Sequence, residues 1–152
     1  MLEFSSHKRF KTFENKTILA IDFGFKVIGT AFFTPARDPF PYMGEKIIFR
    51  SEENTVEILR QIIANENVEI LVLGIPYYID GNESETTRQI KKIGELLKSS
   101  FPQLEFFEQD ETLTTKSAKE RMQNSPQFNF KIDLTQIDCL SAVIILEDFI
   151  RS

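Results

Sequence analysis

The chain has 152 residues, 41% of them hydrophobic, which is enough for one domain with a sizeable core. The charged residues make up 27% and are mixed in sign, which argues against disorder, and one cysteine excludes an internal disulfide or a cysteine-rich zinc site. The net charge of −5 argues against a protein that mainly coats nucleic acid, but it is compatible with a carboxylate site that binds cations.

Residues 1–16 are polar and contain no apolar stretch, so they do not resemble a secretory signal. We interpret them as a polar N-terminal extension, more readily a frayed tail than an arm that contacts phosphates. The chain has no apolar run long enough to span a bilayer. We therefore expect a cytoplasmic protein with no membrane partner and one domain over residues 17–152.

The predicted secondary structure follows from apolar runs and from apolar residues at helical spacing. Strands are predicted over 17–23, 27–34, 46–50, 68–74 and 104–109, and helices over 53–67, 84–100, 114–123 and 134–150. Asp133 and Gln136 resemble a capping box for the last helix. This order predicts an α/β fold with a mixed five-stranded sheet, in which an antiparallel three-strand start is followed by parallel strands and helices flank the sheet.

Asp22 is a carboxylate at the end of the first apolar strand. Alternation places it on the same face as Ile18 and Ala20. Burying an unpaired carboxylate costs several kcal/mol, so Asp22 should be hydrogen-bonded, paired or bound to a metal. The alternative is that Asp22 caps the turn at Gly24, which is an ordinary role for aspartate.

Asp138 lies on the apolar stripe of the last predicted helix, in line with Ala142, Ile145 and Phe149. That stripe should pack against the sheet and so direct Asp138 inward. A favourable interaction with the helix dipole is the alternative explanation. The helix dipole accounts for the position of Asp138 near the start of the helix but not for its place on the apolar face.

The pair Asp110-Glu111 ends the fifth predicted strand, where a solvated turn is the ordinary explanation. If the first, fourth and fifth strands lie side by side, this pair, Asp22 and Asp138 converge. Converging carboxylates repel one another unless a cation lies between them. Oxygen ligands without nearby histidine or cysteine suit Mg²⁺ or Mn²⁺, and two such ions would support phosphoryl displacement.

Four segments resemble the YqgF/RuvX family, in the order in which that family has them. They are DFGFKVIGTA from Asp22, LVLGIPYYIDGNESE from Leu71, QDETLTT from Gln109 and IDCLSAVIILEDF from Ile137. The resemblance covers residues 18–150 and implies an RNase H-like nuclease domain. It also implies that Asp22, Glu111 and Asp138 are the catalytic residues and metal ligands, with Asp110 as a further candidate ligand.

Two positions depart from the family pattern. The family usually reads Asp-Glu-Arg where this chain has Asp110-Glu111-Thr112, so a basic group beside the acids is missing. Phe25 replaces a small hydroxyl residue of the first turn. In the family this arginine supplies a phosphate contact or a partner for a carboxylate, and that interaction is in question here. The three acids are intact, which favours an enzyme.

Four basic residues are candidates for binding nucleic acid: Lys26, Arg88, Lys91 and Lys92. Lys26 follows the Asp22 turn and could reach a phosphate. The position is equally compatible with a surface lysine that has no functional role. The other three share one face of the second predicted helix, for which a solvated surface is the more common explanation.

The resemblance implies a divalent-metal endonuclease that acts on structured RNA, foremost at the 5′ end of pre-16S rRNA. The alternative within the same chemistry is a Holliday junction resolvase acting on branched DNA, which would require a two-fold dimer. We expect a monomer or a weak homodimer. A third hypothesis is a catalytically silent RNase H-like module that binds nucleic acid, favoured by the missing arginine and opposed by the intact acids.

Overall fold

The computed structural model describes residues 2–152. The strands are β1 Thr17–Asp22, β2 Val27–Phe33, β3 Tyr42–Met43, β4 Ile47–Ile48, β5 Val68–Ile75 and β6 Glu105–Asp110. The helices are α1 Leu2–Ser5, α2 Lys8–Thr12, α3 Glu52–Glu66, α4 Glu85–Ser100, α5 Thr114–Gln123 and α6 Ile137–Arg151, and a short 3₁₀ helix spans Pro126–Phe128.

The sheet is mixed and runs in the order β3-β2-β1-β5-β6, with β4 also paired to β2. The first two strands form an antiparallel hairpin, and β1, β5 and β6 are parallel. The predicted α/β architecture and the side-by-side arrangement of the first, fourth and fifth predicted strands are therefore confirmed. Because parallel strands end at the same edge, the C-terminal ends of β1, β5 and β6 lie together.

The predicted third strand over 46–50 is wrong in extent. Two strands of two residues each, β3 and β4, both pair with β2, so the sheet has six strands rather than five. The chain turns at Gly44, whose N–H donates to the Thr30 carbonyl at 2.8 Å. A Cβ on Gly44 would lie 2.5 Å from the Thr30 hydroxyl oxygen, so this close approach requires glycine.

Side chains of β1 alternate between two separate cores. Ile18 and Ala20 pack with α5 and α6 on one face of the sheet. Leu19 and Ile21 pack with α3 and α4 on the other. By this alternation Asp22 lies on the α6 face, as the sequence predicted.

The N-terminal extension is not a frayed tail. Phe4 and Phe13 are each only 6% exposed and belong to the core on the α6 face. Arg9 donates from Nη1 to the Phe149 carbonyl at 2.9 Å, and its guanidinium lies 4.3 Å from the centre of the Phe149 ring. The aromatic residues of this polar segment therefore anchor it to the C-terminal part of α6 and to strands β2 and β6.

The last helix begins later than predicted, at Ile137 rather than residue 134. Asp133 does not form a helix cap, because Gln136 occupies the N-cap position without a side-chain cap. Instead, Asp133 Oδ1 accepts from the N–H of Thr135 at 2.9 Å, which forms a turn before the helix.

None of the helices formed by residues 2–152 is both long enough and apolar enough to cross a membrane.

Candidate active site

The carboxyl groups of Asp22 and Glu111 lie in hydrogen-bonding contact at the C-terminal edge of the sheet. Asp22 ends β1, and Glu111 follows β6 with its N–H donating to the Ile75 carbonyl of β5 at 3.0 Å. Gly74 of β5 makes room for this arrangement, because a Cβ there would lie 3.0 Å from Glu111 Cδ. The sheet topology therefore brings together two acids that are 89 positions apart in the chain.

Burial is the main electrostatic feature of this carboxyl pair. It raises the pKa of Asp22 and the pKa of Glu111 above their ordinary values. The charge of Asp22 raises the pKa of Glu111 further, and the hydrogen bond between the groups favours a proton on Glu111. Neither carboxyl group forms an ion pair within residues 2–152, so the pair has no internal cation to neutralise it.

Asp138 lies in the first turn of α6, beside the pair, and its charge raises the pKa of Asp22. Gly29 of β2 is the register partner of Asp22. A Cβ on Gly29 would lie 2.0 Å from the Asp138 carbonyl oxygen, so the start of α6 rests directly on this glycine. No three acidic, histidine or cysteine side chains of the described chain form a closed metal-ligand set. Asp138 is thus adjacent to the pair without closing the cluster.

Gly29→Ala should destabilise the fold and displace Asp138. The added methyl group cannot be accommodated against a backbone oxygen 2.0 Å away, and overpacking of this kind costs about 3 kcal/mol. Urea unfolding of the variant would measure the loss. Gly94→Ala is the matched control, since its Cβ would meet a movable side-chain atom of Leu73 at 3.3 Å. Equal stability of the two variants would contradict the close contact between β2 and α6.

Asp110 is exposed and engaged in a local turn. Its Oδ1 accepts from the Thr112 N–H at 2.8 Å and from the Thr112 hydroxyl at 2.6 Å. Thr112, which stands where the family usually has arginine, therefore holds Asp110 through hydrogen bonds without adding charge. The structure brings Glu111 to Asp22 and keeps Asp110 in this turn.

Three of the four basic residues proposed from the sequence, Arg88, Lys91 and Lys92, lie on α4, and Lys26 lies between β1 and β2. Arg88 pairs with Glu85 at 3.0 Å, and Lys91 pairs with Glu83 at 3.2 Å. Lys26 and Lys92 are exposed, and neither forms an ion pair within residues 2–152. Two of the four cations are thus partly neutralised by their own helix or the loop before it.

Lys46 is a basic residue near the site that the sequence analysis missed. It lies between Glu45, whose carbonyl accepts from the Thr30 hydroxyl at 2.6 Å, and Ile47, which pairs with Ile28. This pairing places Lys46 beside Gly29. Burial raises the pKa of Asp138, and the charge of Lys46 opposes that rise. The sequence predicted a strand over residues 46–50 in the antiparallel start of the sheet, but not the register with β2 that places Lys46 beside Gly29.

A cleft of about 300 Å³ opens beside the carboxyl pair. Its walls include Asp22 and Glu111, the residues Pro76 and Tyr77 that follow β5, and residues 112–115 that lead into α5. The carboxyl groups are therefore reachable from solvent through a cavity of small-ligand size.

The stability of the metal-free protein should fall as pH rises above the ordinary carboxyl pKa of about 4. Because the pKa values of Asp22 and Glu111 are raised in the folded state, the folded chain binds protons more tightly than the unfolded chain. Their contribution is greatest below that pKa and is lost as pH rises through the raised values. Thermal melts in chelator should show this decline, and Asp22→Asn should flatten it. A decline of equal slope in Asp22→Asn would contradict the assignment.

Comparison with known sequences identifies relatives along most of the chain. The family profile of RuvX, described as Holliday junction resolvase, matches residues 16–152. A Sulfurihydrogenibium protein named as a pre-16S rRNA nuclease is 33% identical over 135 residues, which cover 88% of each chain. A Malacoplasma penetrans protein of the same name is 36% identical over 145 residues, covering 91% of this chain and 96% of the relative.

Solved structures share the fold at low sequence identity. Thermus thermophilus RuvC, in complex with a Holliday junction substrate, superposes with a TM-score of 0.58 at 7% identity, covering 90% of this chain and 95% of that one. The yeast mitochondrial Holliday junction resolvase gives 0.53 at 10% identity, with coverage of 91% and 81%. These likenesses establish the RNase H-like fold of resolvases of the RuvC type. The sequence matches go further, and the chain belongs to the RuvX family.

Proposed function

We propose that this protein is a metal-dependent endonuclease that hydrolyses phosphodiester bonds at the Asp22–Glu111 pair. The observation that carries the proposal is a buried pair of carboxyl groups in contact, without an internal cation and open to a cleft. Two buried carboxyl groups without a counter-ion are unfavourable for folding alone. The relatives in the same family are named as nucleases, which supports the interpretation that this unfavourable burial is retained because the two carboxyl groups are needed for catalysis.

The residues at the site suit a hard divalent cation. Asp22, Glu111 and Asp138 offer carboxylate oxygens, which Mg²⁺ and Mn²⁺ prefer, and no histidine or cysteine ligand is required. We infer that these three residues would hold one or two such ions, with Asp138 moving in from the start of α6. Bound there, the ions would activate water and stabilise the charge of the phosphate undergoing attack.

The protein's own groups prepare the site for this reaction. The Asp22 carboxyl group contacts Glu111 and interacts with the charge of Asp138, so it would be the ligand shared by any ion held at this site. Glu111 would release its shared proton when a cation replaces that proton. Asp110 supports the turn through Thr112. Lys46, beside Asp138, is suited to contact a phosphate and to supply part of the charge that Thr112 lacks.

Structured RNA, foremost pre-16S rRNA in the cytoplasm, is the substrate that we favour. The Sulfurihydrogenibium and Malacoplasma penetrans relatives both carry the name of a pre-16S rRNA nuclease. Branched DNA is the second candidate, because the matched family carries the description of a Holliday junction resolvase. Symmetrical cleavage of a junction would require a dimer, whereas RNA cleavage is compatible with a monomer or a weak homodimer.

The direct test offers a precursor rRNA fragment, a four-way DNA junction and a DNA duplex side by side, with Mn²⁺ or with chelator. We expect Mn²⁺-dependent cleavage of the RNA to exceed that of either DNA. Preferential cutting of the junction, with a two-fold dimer in solution, would favour the resolvase instead. Absence of Mn²⁺-dependent cleavage of all three would support the catalytically silent module.

A further inference from the structure

The cleft beside the carboxyl pair has two chemically different walls. Tyr77 provides an aromatic wall, and the residues that begin α5 provide a polar one. Its volume of about 300 Å³ is at the lower end of the range for small-ligand sites, which is too small for a duplex. The cleft is therefore the right size for one nucleoside that is not base-paired in a duplex.

The Tyr77 ring is held in place by its neighbours. Lys91 Nζ lies 5.4 Å from the centre of the ring, and the same ammonium group pairs with Glu83 at 3.2 Å. Tyr77 is half-buried and packs against the core on the α3 and α4 face. An aromatic ring that is fixed in advance loses little conformational entropy when a planar group stacks on it.

The polar wall has unused hydrogen-bonding capacity. Thr114 is 4% exposed and lines the cleft, and its hydroxyl forms no hydrogen bond within residues 2–152. Leu113 at the N-cap provides no side-chain acceptor, and the first turn of α5 carries no acidic residue. The Thr114 N–H itself donates to the Glu111 carbonyl at 3.0 Å. The unpartnered Thr114 hydroxyl on the cleft wall and the remaining N–H groups of the first turn favour a phosphate or sugar oxygen.

Backbone strain is present at the same place. Leu113 adopts φ of 64°, a left-handed conformation that is uncommon for leucine, and its side chain is 50% exposed. Strained positions persist where the surrounding structure holds them, often beside functional sites. Here the strain turns the chain from Glu111 into α5 and so sets the distance between the carboxyl pair and the polar wall.

We propose that this cleft binds one unpaired nucleotide of the substrate, with its base stacked on Tyr77 and its sugar-phosphate at Thr114 and the start of α5. The inference rests on the proposed nuclease function and narrows its substrate class. The cleavage site should lie beside an unpaired nucleotide, in a loop, bulge or single strand, because a paired base cannot enter the cleft.

The test measures binding separately from cleavage. The probe is a 12-nucleotide RNA with one 2-aminopurine, single-stranded or annealed to its complement, titrated in Ca²⁺. We expect fluorescence quenching and tighter binding of the single strand by wild type. Tyr77→Leu should weaken that binding roughly 5- to 100-fold and remove the quenching, whereas Tyr77→Phe should bind like wild type.

Tyr78→Leu is the matched control, because Tyr78 is the next residue, is 58% exposed and does not line the cleft. Its binding should stay within about twofold of wild type, since no base stacks there. Thr114→Val provides a second test in case Tyr77→Leu does not fold. The Thr114 hydroxyl has no partner within the described residues, so its removal should not disturb the fold. It should weaken binding roughly 3- to 10-fold at unchanged thermal stability.

Two results would overturn the proposal. One is equal binding by Tyr77→Leu, Tyr78→Leu and wild type, and the other is binding of the duplex as tightly as the single strand. Failure of the nuclease proposal is distinguishable, because it would appear as absent Mn²⁺-dependent cleavage while the Tyr77-dependent binding remains.

Discussion

Asp22→Asn should reduce the rate of Mn²⁺-dependent cleavage by about 100-fold or more while leaving the fold intact. Asp22 contacts Glu111 and lies in the field of Asp138, so its carboxylate is common to any ion bound at this edge of the sheet. Asparagine preserves the shape and one oxygen but removes the charge. Single-turnover cleavage with saturating Mn²⁺ measures the loss.

The same substitution should leave the metal-free protein as stable as wild type or more stable. It removes a charge whose burial and proximity to Asp138 are unfavourable. Circular dichroism melts in chelator supply this comparison. If Asp22→Asn retained more than roughly a tenth of the wild-type rate, a role as direct ligand would be untenable.

Glu111→Gln should impair cleavage far more than Asp110→Asn, although the two residues are adjacent. Glu111 is in contact with Asp22, whereas Asp110 is exposed and accepts two hydrogen bonds from Thr112. We expect a loss of about 100-fold for Glu111→Gln and a change within about threefold for Asp110→Asn. Cleavage across a Mg²⁺ titration measures both the rate and the metal requirement, because Mg²⁺ tolerates few misplaced oxygens.

Asp110→Asn is a fair control because its amide oxygen can still accept the Thr112 N–H bond. A folded Glu111→Gln protein that cleaves like wild type, beside an Asp110→Asn protein that needs more Mg²⁺, would reverse the assignment. Equal losses in both variants would indicate that the turn as a whole, rather than one carboxylate, governs the site.

The sequence was sufficient to predict the part of the fold that positions the acids. The apolar run before Asp22 has the length of a buried strand, and its alternation assigns the α6 face correctly. The short link from Gly24 to Lys26 permits only the hairpin that β1 and β2 form. These features are local, so a single sequence carries them.

Features that depend on long-range packing could not be predicted. The strands β3 and β4 have two residues each, which is too short for a periodicity. The strand predicted over 46–50 was therefore too long, β3 was missed, and the register that places Lys46 beside Gly29 was not given. Phe4 and Phe13 are isolated among polar residues, and their burial depends on distant partners. Phe4 packs against Phe33 of β2, and Phe13 packs against Phe107 of β6 and Phe149 of α6. Likewise, nothing in the sequence distinguishes Gly29 from an ordinary strand glycine, and only the structure shows that the backbone of Asp138 packs directly against it.

We propose that Asp22, Glu111 and Asp138 together bind divalent cations. Crystals soaked in Mn²⁺ test it most directly, because the anomalous signal locates the ion. We expect Mn²⁺ bound by oxygens of Asp22 and Glu111, with Asp138 drawn in from the start of α6, and no such peak in Asp22→Asn crystals. Wild-type crystals in which Asp22 and Glu111 keep their mutual hydrogen bond, with Mn²⁺ absent or bound elsewhere, would contradict it.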